Sequence, residues 1–214
     1  MDLQLLYLFN RTWTHPALDW VMAVASSFAL WAPLLVLVLG LVLIFGGFKA
    51  RAMVICLGLV IGVADGLVTQ SLKASVGRPR PNDVRNDVRI VDLAKASPRF
   101  MALGRPLKIK MSRASEKPVE GNSFPSGHTV NNFASATVLA VFYRRRGWLA
   151  FFPAALVGYS RIYVGSHWPA DILVSSFLGC GLAAVLLVVF AGLWRKWGGK
   201  FFPVTASRHP ELIS

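Results

Sequence analysis

Residues 160–194 read SRIYVGSHWPADILVSSFLGCGLAAVLLVVFAGLW. The stretch has two halves of opposite character. Ile172 to Trp194 is a run of 23 residues without a charge. A helix needs roughly 20 apolar residues, at about 1.5 Å rise each, to cross the hydrocarbon core of a bilayer. Just before that run, Arg161, His167 and Asp171 crowd into eleven residues. An apolar helix that opens on a titratable cluster places that cluster at a membrane surface.

Outward from this stretch the pattern repeats. No charge occurs in the 29 residues from Trp20 to Phe48, and from Ala52 to Leu72 the sole charge is Asp65. Thr129–Tyr143 and Gly147–Ser160 are also uncharged. The pattern predicts an all-α, polytopic membrane bundle of about six transmembrane helices. Residues 1–214 form one domain, with a basic extramembrane loop at about 82–124. The 29-residue run is too long for one straight span, and Trp31-Ala32-Pro33 predicts its break, giving helices over about 16–29 and 31–45. Five crossings with an interfacial first helix is the second reading. Met1–Trp13 reads as an amphipathic interfacial segment rather than a cleaved signal, and Cys56 and Cys180 as buried free thiols.

The charge has to be reconciled with this apolar mass. The chain carries 23 Lys+Arg against 10 Asp+Glu, a net +13, yet is 55% hydrophobic with a mean hydropathy of +0.54. That composition excludes disorder and argues against a nucleic-acid-binding domain. Lys49 and Arg51, Arg144–Arg146, and Arg195, Lys196 and Lys200 flank the spans in short segments. With six crossings they share one side with both termini, and the positive-inside rule makes it cytoplasmic. Lys73–Pro125, with 12 Lys+Arg against 5 Asp+Glu, then faces outward.

Three clusters meet the spans on that outer side. Lys73 is followed after six residues by Arg80-Pro81; Pro125-Ser126-Gly127-His128 opens span four; Ser160-Arg161, five residues, His167, three residues and Asp171 join spans five and six. Lys73, Arg80 and Arg161 are fixed cations suited to the oxygens of a phosphate ester. Ser126 is a natural N-cap, and Gly127 lets backbone N–H groups approach an anion at the helix start. His128 and His167 can divide nucleophile and general acid between them. Asp171, four residues after His167, suits orienting that ring and making it the nucleophile.

These three motifs, in this order, resemble the signature of the type 2 phosphatidic acid phosphatase (PAP2) superfamily, matching each of its positions. The resemblance implies a membrane lipid phosphatase in which His167 becomes phosphorylated, Asp171 orients it and His128 is the general acid. It also implies that Lys73, Arg80, Ser126, Gly127 and Arg161 hold the phosphate, with no cofactor or metal. Expected partners are a lipid phosphate and the bilayer, with no nucleic acid. Expected localisation is the bacterial inner membrane, with the active site at the periplasmic ends of spans three to six. Undecaprenyl diphosphate is the leading expected substrate; a lipid A 1-phosphatase or a phosphatidylglycerol phosphate or phosphatidate phosphatase is the alternative. A soluble haloperoxidase sharing the site pattern is excluded by the spans. An anion transporter would not require two such histidines.

Other residues are read more plainly. Arg78 is assigned to the headgroup layer, Asp65 to a polar neighbour in the bundle, and Asn131 and Asn132 to packing. The stretch from Leu103 to Met111 alternates apolar and basic residues. It is expected to lie on the headgroup surface, covering the site and selecting substrates with more than one anionic group.

Overall fold

A computed structural model describes residues 1–115 and 122–213; residues 116–121 of the expected loop lie outside them. Five long helical segments form the bundle. α3 (Phe28–Phe45) runs from one end of the bundle to the other. α4 (Phe48–Val63) returns, continuing through a π-helical turn at Ala64–Thr69 into α5 (Gln70–Val76). α7 (Gly127–Gly147), α8 (Phe151–Tyr163) and α9 (Pro169–Phe201) complete it. Three stretches are long and apolar enough to cross a membrane, 28–45, 48–84 and 169–201. α7 and α9 approach most intimately at Gly179, where a Cβ would run into the Val130 carbonyl oxygen. Small residues let membrane helices come this close. The deepest core joins Val60 of α4, Val138 and Phe142 of α7 and Leu187 of α9.

The N-terminal part departs from expectation. α1 (Asp2–Tyr7) and α2 (Pro16–Ser26) precede the bundle. At 11 residues, α2 is about 16 Å long, roughly half of what crossing requires. Both its ends touch the same end of α8: the His15 N–H reaches the Tyr163 hydroxyl at 3.4 Å, and Ser26 accepts from Arg161. The expected first crossing is therefore a helix lying along one end of the bundle. Asp2 sits at that end too, paired with Arg78 at 2.6 Å, so the expectation that both termini share a side is corrected.

The break in the 29-residue apolar run falls at Ser27, whose backbone (φ −90°, ψ 84°) is non-helical, and not at Pro33, which lies inside α3. The elbow is closed by Trp31, whose indole N–H donates to the Val24 carbonyl at 3.0 Å. Pro33 lacks the N–H that would bond four residues back, a loss tolerated in helices packed within membranes.

The long loop is not structureless, and the all-α expectation is corrected in this detail. After α6 (Pro81–Val84), β1 (Arg89–Asp92) pairs antiparallel with β2 (Lys108–Met111), placing Arg89 opposite Met111 and Asp92 opposite Lys108. A 3-10 turn at Arg99–Gly104 lies between the strands. Val91 and Leu93 bury against Met22 and Ala23 of α2 and Tyr163 of α8. Polar clamps fix the arrangement. Arg89 grips Asp19 of α2 with a two-pronged ion pair at 2.5–2.7 Å, and the Asn10 amide donates to the carbonyls of Arg89 and Tyr163 at 2.7 Å. The other end of the bundle closes on α10 (Pro203–Arg208), after which Trp194 donates to the His209 carbonyl. Cys56 of α4 and Cys180 of α9 are free thiols, Cys56 buried and Cys180 partly so.

Candidate active site

The three sequence clusters converge at the end of the bundle that carries α2 and the hairpin. Lys73 lies on the last turn of α5, which Gly77 terminates with a left-handed φ of 58°. That turn releases the chain into Arg78-Pro79-Arg80-Pro81. Trp168 holds this segment against the start of α9 by donating from its indole to the Pro79 carbonyl at 2.9 Å.

At the start of α7 the sequence expectation holds in position and differs in bonding. Ser126 is the N-cap residue, but its hydroxyl accepts from the Thr129 hydroxyl at 3.0 Å instead of from a helix N–H. Its own N–H is taken by the Ser175 hydroxyl of α9 at 2.9 Å. Ser126 thus locks α7 to α9. The first-turn N–H groups of Gly127 and His128 are left for an anion, as helix starts leave them. A Cβ on Gly127 would come within 3.3 Å of Asp65 Oδ1, so glycine also gives room to the π-helical turn of the facing helix. Asp65, Lys73, Arg80 and Arg161 all lie within electrostatic reach of His128. The Phe28 ring stands edge-on to the His128 imidazole at 6.4 Å.

The third cluster is shaped by one carbonyl. The N–H groups of Ser166 and His167 both donate to Arg161 O, at 3.0 and 3.2 Å. Gly165, at φ 77°, makes the reversal possible because a Cβ there would strike Val88 and Arg89. The five-residue spacing between Arg161 and His167 is the length of that turn.

His167 is 3% exposed, and its Nδ1 lies 2.6 Å from the Ser123 carbonyl oxygen. A carbonyl can only accept, so Nδ1 carries the hydrogen and Nε2 is left with a free lone pair. Burial first, then the charges of Arg161 and Arg80, hold the ring well below the ordinary histidine pKa of 6.5. The result is a neutral imidazole with an unprotonated Nε2 beside two guanidinium groups.

Asp171 occupies a place different from the one expected. Its fully buried carboxylate accepts from Arg78 at 2.5 Å, from the Ser123 hydroxyl at 2.5 Å and from the Trp168 N–H at 3.2 Å. No hydrogen bond joins it to His167. The reason is local: Asp171 is the third residue of α9 and folds back to cap its own helix start, a capping-box geometry. Ser123 bridges the two, binding the ring through its carbonyl and the carboxylate through its hydroxyl. Sequence reasoning missed Ser123, whose only signal was its nearness to Pro125-Ser126-Gly127-His128. It also misassigned Arg78, which forks between Asp171 and Asp2 and stacks over Trp168 at 5.3 Å.

Two polar atoms point to an anion. The Nε groups of Arg80 and Arg161 are buried without a hydrogen-bond partner among the described residues. Such orphaned donors are costly unless something accepts from them. The site can therefore hold a multiply charged oxyanion against an unprotonated imidazole nitrogen.

The family model of the PAP2 superfamily matches residues 52–195, and the chain belongs to that superfamily. It is 31% identical over 183 residues to the lipid A 4'-phosphatase of Bacteroides thetaiotaomicron, covering 84% of this chain and 72% of that one. It is 35% identical over 89 residues to the undecaprenyl-diphosphatase of Sulfolobus acidocaldarius, covering 41% and 43%. Among solved structures, Aquifex aeolicus LpxE superposes with a TM-score of 0.59 at 28% identity, over 87% of this chain and 94% of that one.

Proposed function

We propose that this integral membrane lipid phosphatase removes a phosphate group from a cell-envelope lipid at the periplasmic face of the bacterial inner membrane. Residues 1–214 act as one domain. In this reading α3, α4–α5, α7, α8 together with the 3-10 turn Trp148–Ala150 that leads into it, and α9 are five crossings, and α2, tied at both its ends to one end of α8, lies at the outer interface. The topology is supported by charge: Lys49, Arg51, Arg144–Arg146, Arg195, Lys196 and Lys200 then all fall on the cytoplasmic side.

Lys73, Arg80 and Arg161, with the N–H groups at the start of α7, hold the phosphate oxygens and stabilise their growing charge. His167 Nε2 attacks phosphorus, forming a P–N bond as the P–O bond to the lipid breaks. His128 gives its proton to the departing oxygen, then takes one from the water that hydrolyses phospho-His167. Ser123 and Asp171 keep the ring in its Nδ1–H form and stabilise the positive charge that appears on it. The observation that carries this reading is the buried, neutral His167 beside two arginines whose Nε groups lack acceptors.

For the substrate, the similarity to a lipid A 4'-phosphatase spans 84% of the chain, against 41% for an undecaprenyl-diphosphatase. Lys108, Lys110 and Arg113 on the hairpin are exposed and without carboxylate partners among the described residues, as a polyanionic headgroup requires. Both observations move lipid A ahead of undecaprenyl diphosphate. The test is phosphate release by purified protein from lipid A, undecaprenyl diphosphate, phosphatidylglycerol phosphate and phosphatidate, with His167→Ala as control. Release that vanadate inhibits and His167→Ala abolishes is expected, greatest with lipid A; equal release by His167→Ala would overturn the mechanism.

A further inference from the structure

The end of the bundle away from the catalytic groups carries a second feature that lipid hydrolysis does not use. A recess of about 680 Å³ opens between α4, α9 and α10. Arg51, Ile55 and Leu59 line it at four-residue intervals on one stripe of α4, with Phe190 and Trp197 of α9 opposite. Arg208 of α10 completes the rim. The recess is built, not a gap between loosely placed helices. The His209 ring stacks on Phe48 at 4.2 Å and 4°, and Trp194 donates to the His209 carbonyl at 3.0 Å. These contacts pin the segment after α9 back against the start of α4.

Its chemistry is divided along its length. The walls from Ile55 to Leu59 are apolar and the mouth holds two guanidinium groups. Arg51 spends one nitrogen on the Ile44 carbonyl at 2.7 Å, and Arg208 has no ion pair among the described residues. The surrounding charge has one sign. Lys49, Arg51, Arg144–Arg146, Arg195, Lys196, Lys200 and Arg208 gather at this end, where Glu211 is the one carboxylate among the described residues. Twenty-two residues separate Arg51 from Lys73 along one nearly continuous helix, about 33 Å, so this mouth and the catalytic cations face opposite leaflets. An apolar slot that ends in two guanidiniums at a membrane surface fits a lipid with a hydrocarbon chain and an anionic phosphate.

We propose that this recess is a binding site for one anionic phospholipid of the leaflet opposite the catalytic site. An acyl chain lies between Ile55, Leu59 and Trp197, and the phosphodiester is held by Arg51 and Arg208. The lipid is a ligand and not a substrate: the one imidazole at the recess, His209, is stacked flat on Phe48, and the paired histidines with their phosphate-binding cations lie at the other end of the bundle. The site depends only on the chain lying in a membrane, and stands or falls apart from the hydrolytic mechanism.

The test uses full-length protein purified in an uncharged detergent, supplied with phosphatidylglycerol or phosphatidylcholine and examined by native mass spectrometry. One phosphatidylglycerol retained per chain, in preference to phosphatidylcholine, is expected. Arg208→Ala should weaken retention about fivefold, roughly the worth of one basic residue at an anionic surface. Leu59→Trp, which fills the slot from an exposed position, should abolish it. The pair Lys73→Ala and Arg80→Ala should leave retention unchanged, which separates this site from the catalytic one. Arg51→Ala also removes a bond to α3, so Arg208→Ala and Leu59→Trp carry the test if that variant fails to fold. Equal retention of the two lipids would overturn the proposal, as would retention indifferent to Arg208→Ala and Leu59→Trp, or retention lost only with the Lys73 and Arg80 changes.

Discussion

His167 and Asp171 are joined through Ser123, which accepts from the imidazole Nδ1 on its carbonyl at 2.6 Å and donates its hydroxyl to the carboxylate at 2.5 Å. The charge of Asp171 therefore reaches the ring through a neighbour, while Arg78 offsets that charge from the far side at 2.5 Å.

This arrangement predicts the behaviour of Ser123→Ala. The carbonyl that fixes the ring survives, and only the link to Asp171 is lost. Phosphate release should fall roughly tenfold, the lower end for removing a partner that orients a reacting histidine, with kcat affected and KM nearly unchanged. Asp171→Asn should cost less in the Ser123→Ala background than in the wild type. Full additivity of the two changes would show that Asp171 acts by another route.

The pH dependence follows from the position of His167. Its pKa is held below 6.5 by burial, then by Arg161 and Arg80. A lowered pKa means that the cation forms only at lower pH, so the nucleophilic neutral ring persists where a free histidine would be largely protonated. The acid limb of kcat/KM should lie below pH 6.5. Arg80→Gln removes one of the charges opposing protonation and should move that limb upward, whatever it does to the maximum rate. A limb that stays in place in the variant would contradict this electrostatic reading.

Two glycines on α9 make a controlled pair. A Cβ at Gly179 collides with the backbone of α7, whereas one at Gly181 meets nothing within 4 Å. Gly179→Ala should destabilise by about 1–3 kcal/mol, as overpacking does. Gly181→Ala should be neutral or stabilising by up to ~1 kcal/mol, from helix propensity alone. Thermal unfolding in detergent reads both.

Charge reversal at the hairpin separates recognition from chemistry. Lys108→Glu with Lys110→Glu should raise KM severalfold for a lipid with two phosphates and leave KM for a single-phosphate lipid within about twofold, since only the second anionic group meets these side chains. An equal change for both substrates would make the hairpin a general electrostatic attractor.

The site was legible because its chemistry is written in short linear motifs. Lys73, Arg80, His128, Arg161 and His167 carry charge or a reactive nitrogen, and helix ends bring them together. What stayed hidden was neutral or remote. Ser123 works partly through its backbone carbonyl, which every residue possesses, and the partners of Arg78, Asp2 and Asp171, are 76 and 93 positions away. The long helices were legible from apolar runs nearly free of charge. α2 was misread because composition measures apolarity and not where a short helix lies. Its Asp19 is satisfied by Arg89 and by Tyr163 at 2.6 Å, partners 70 and 144 positions away, and that cluster holds it at one end of the bundle.

The cations of the loop between α5 and α7 differ in their partners. Arg78, Arg85, Arg89 and Arg99 are each paired with an aspartate, while Lys108 and Lys110 of β2 are exposed with no ion pair among the described residues. The loop is thus a fixed base with an interchangeable tip. Exchange of residues 108–110 alone, stopping short of Ser112 whose hydroxyl and N–H tie the strand to Arg85 and Val88, would alter the charge of that tip and leave every contact of the candidate catalytic groups in place, which makes the hairpin a graft point on this scaffold.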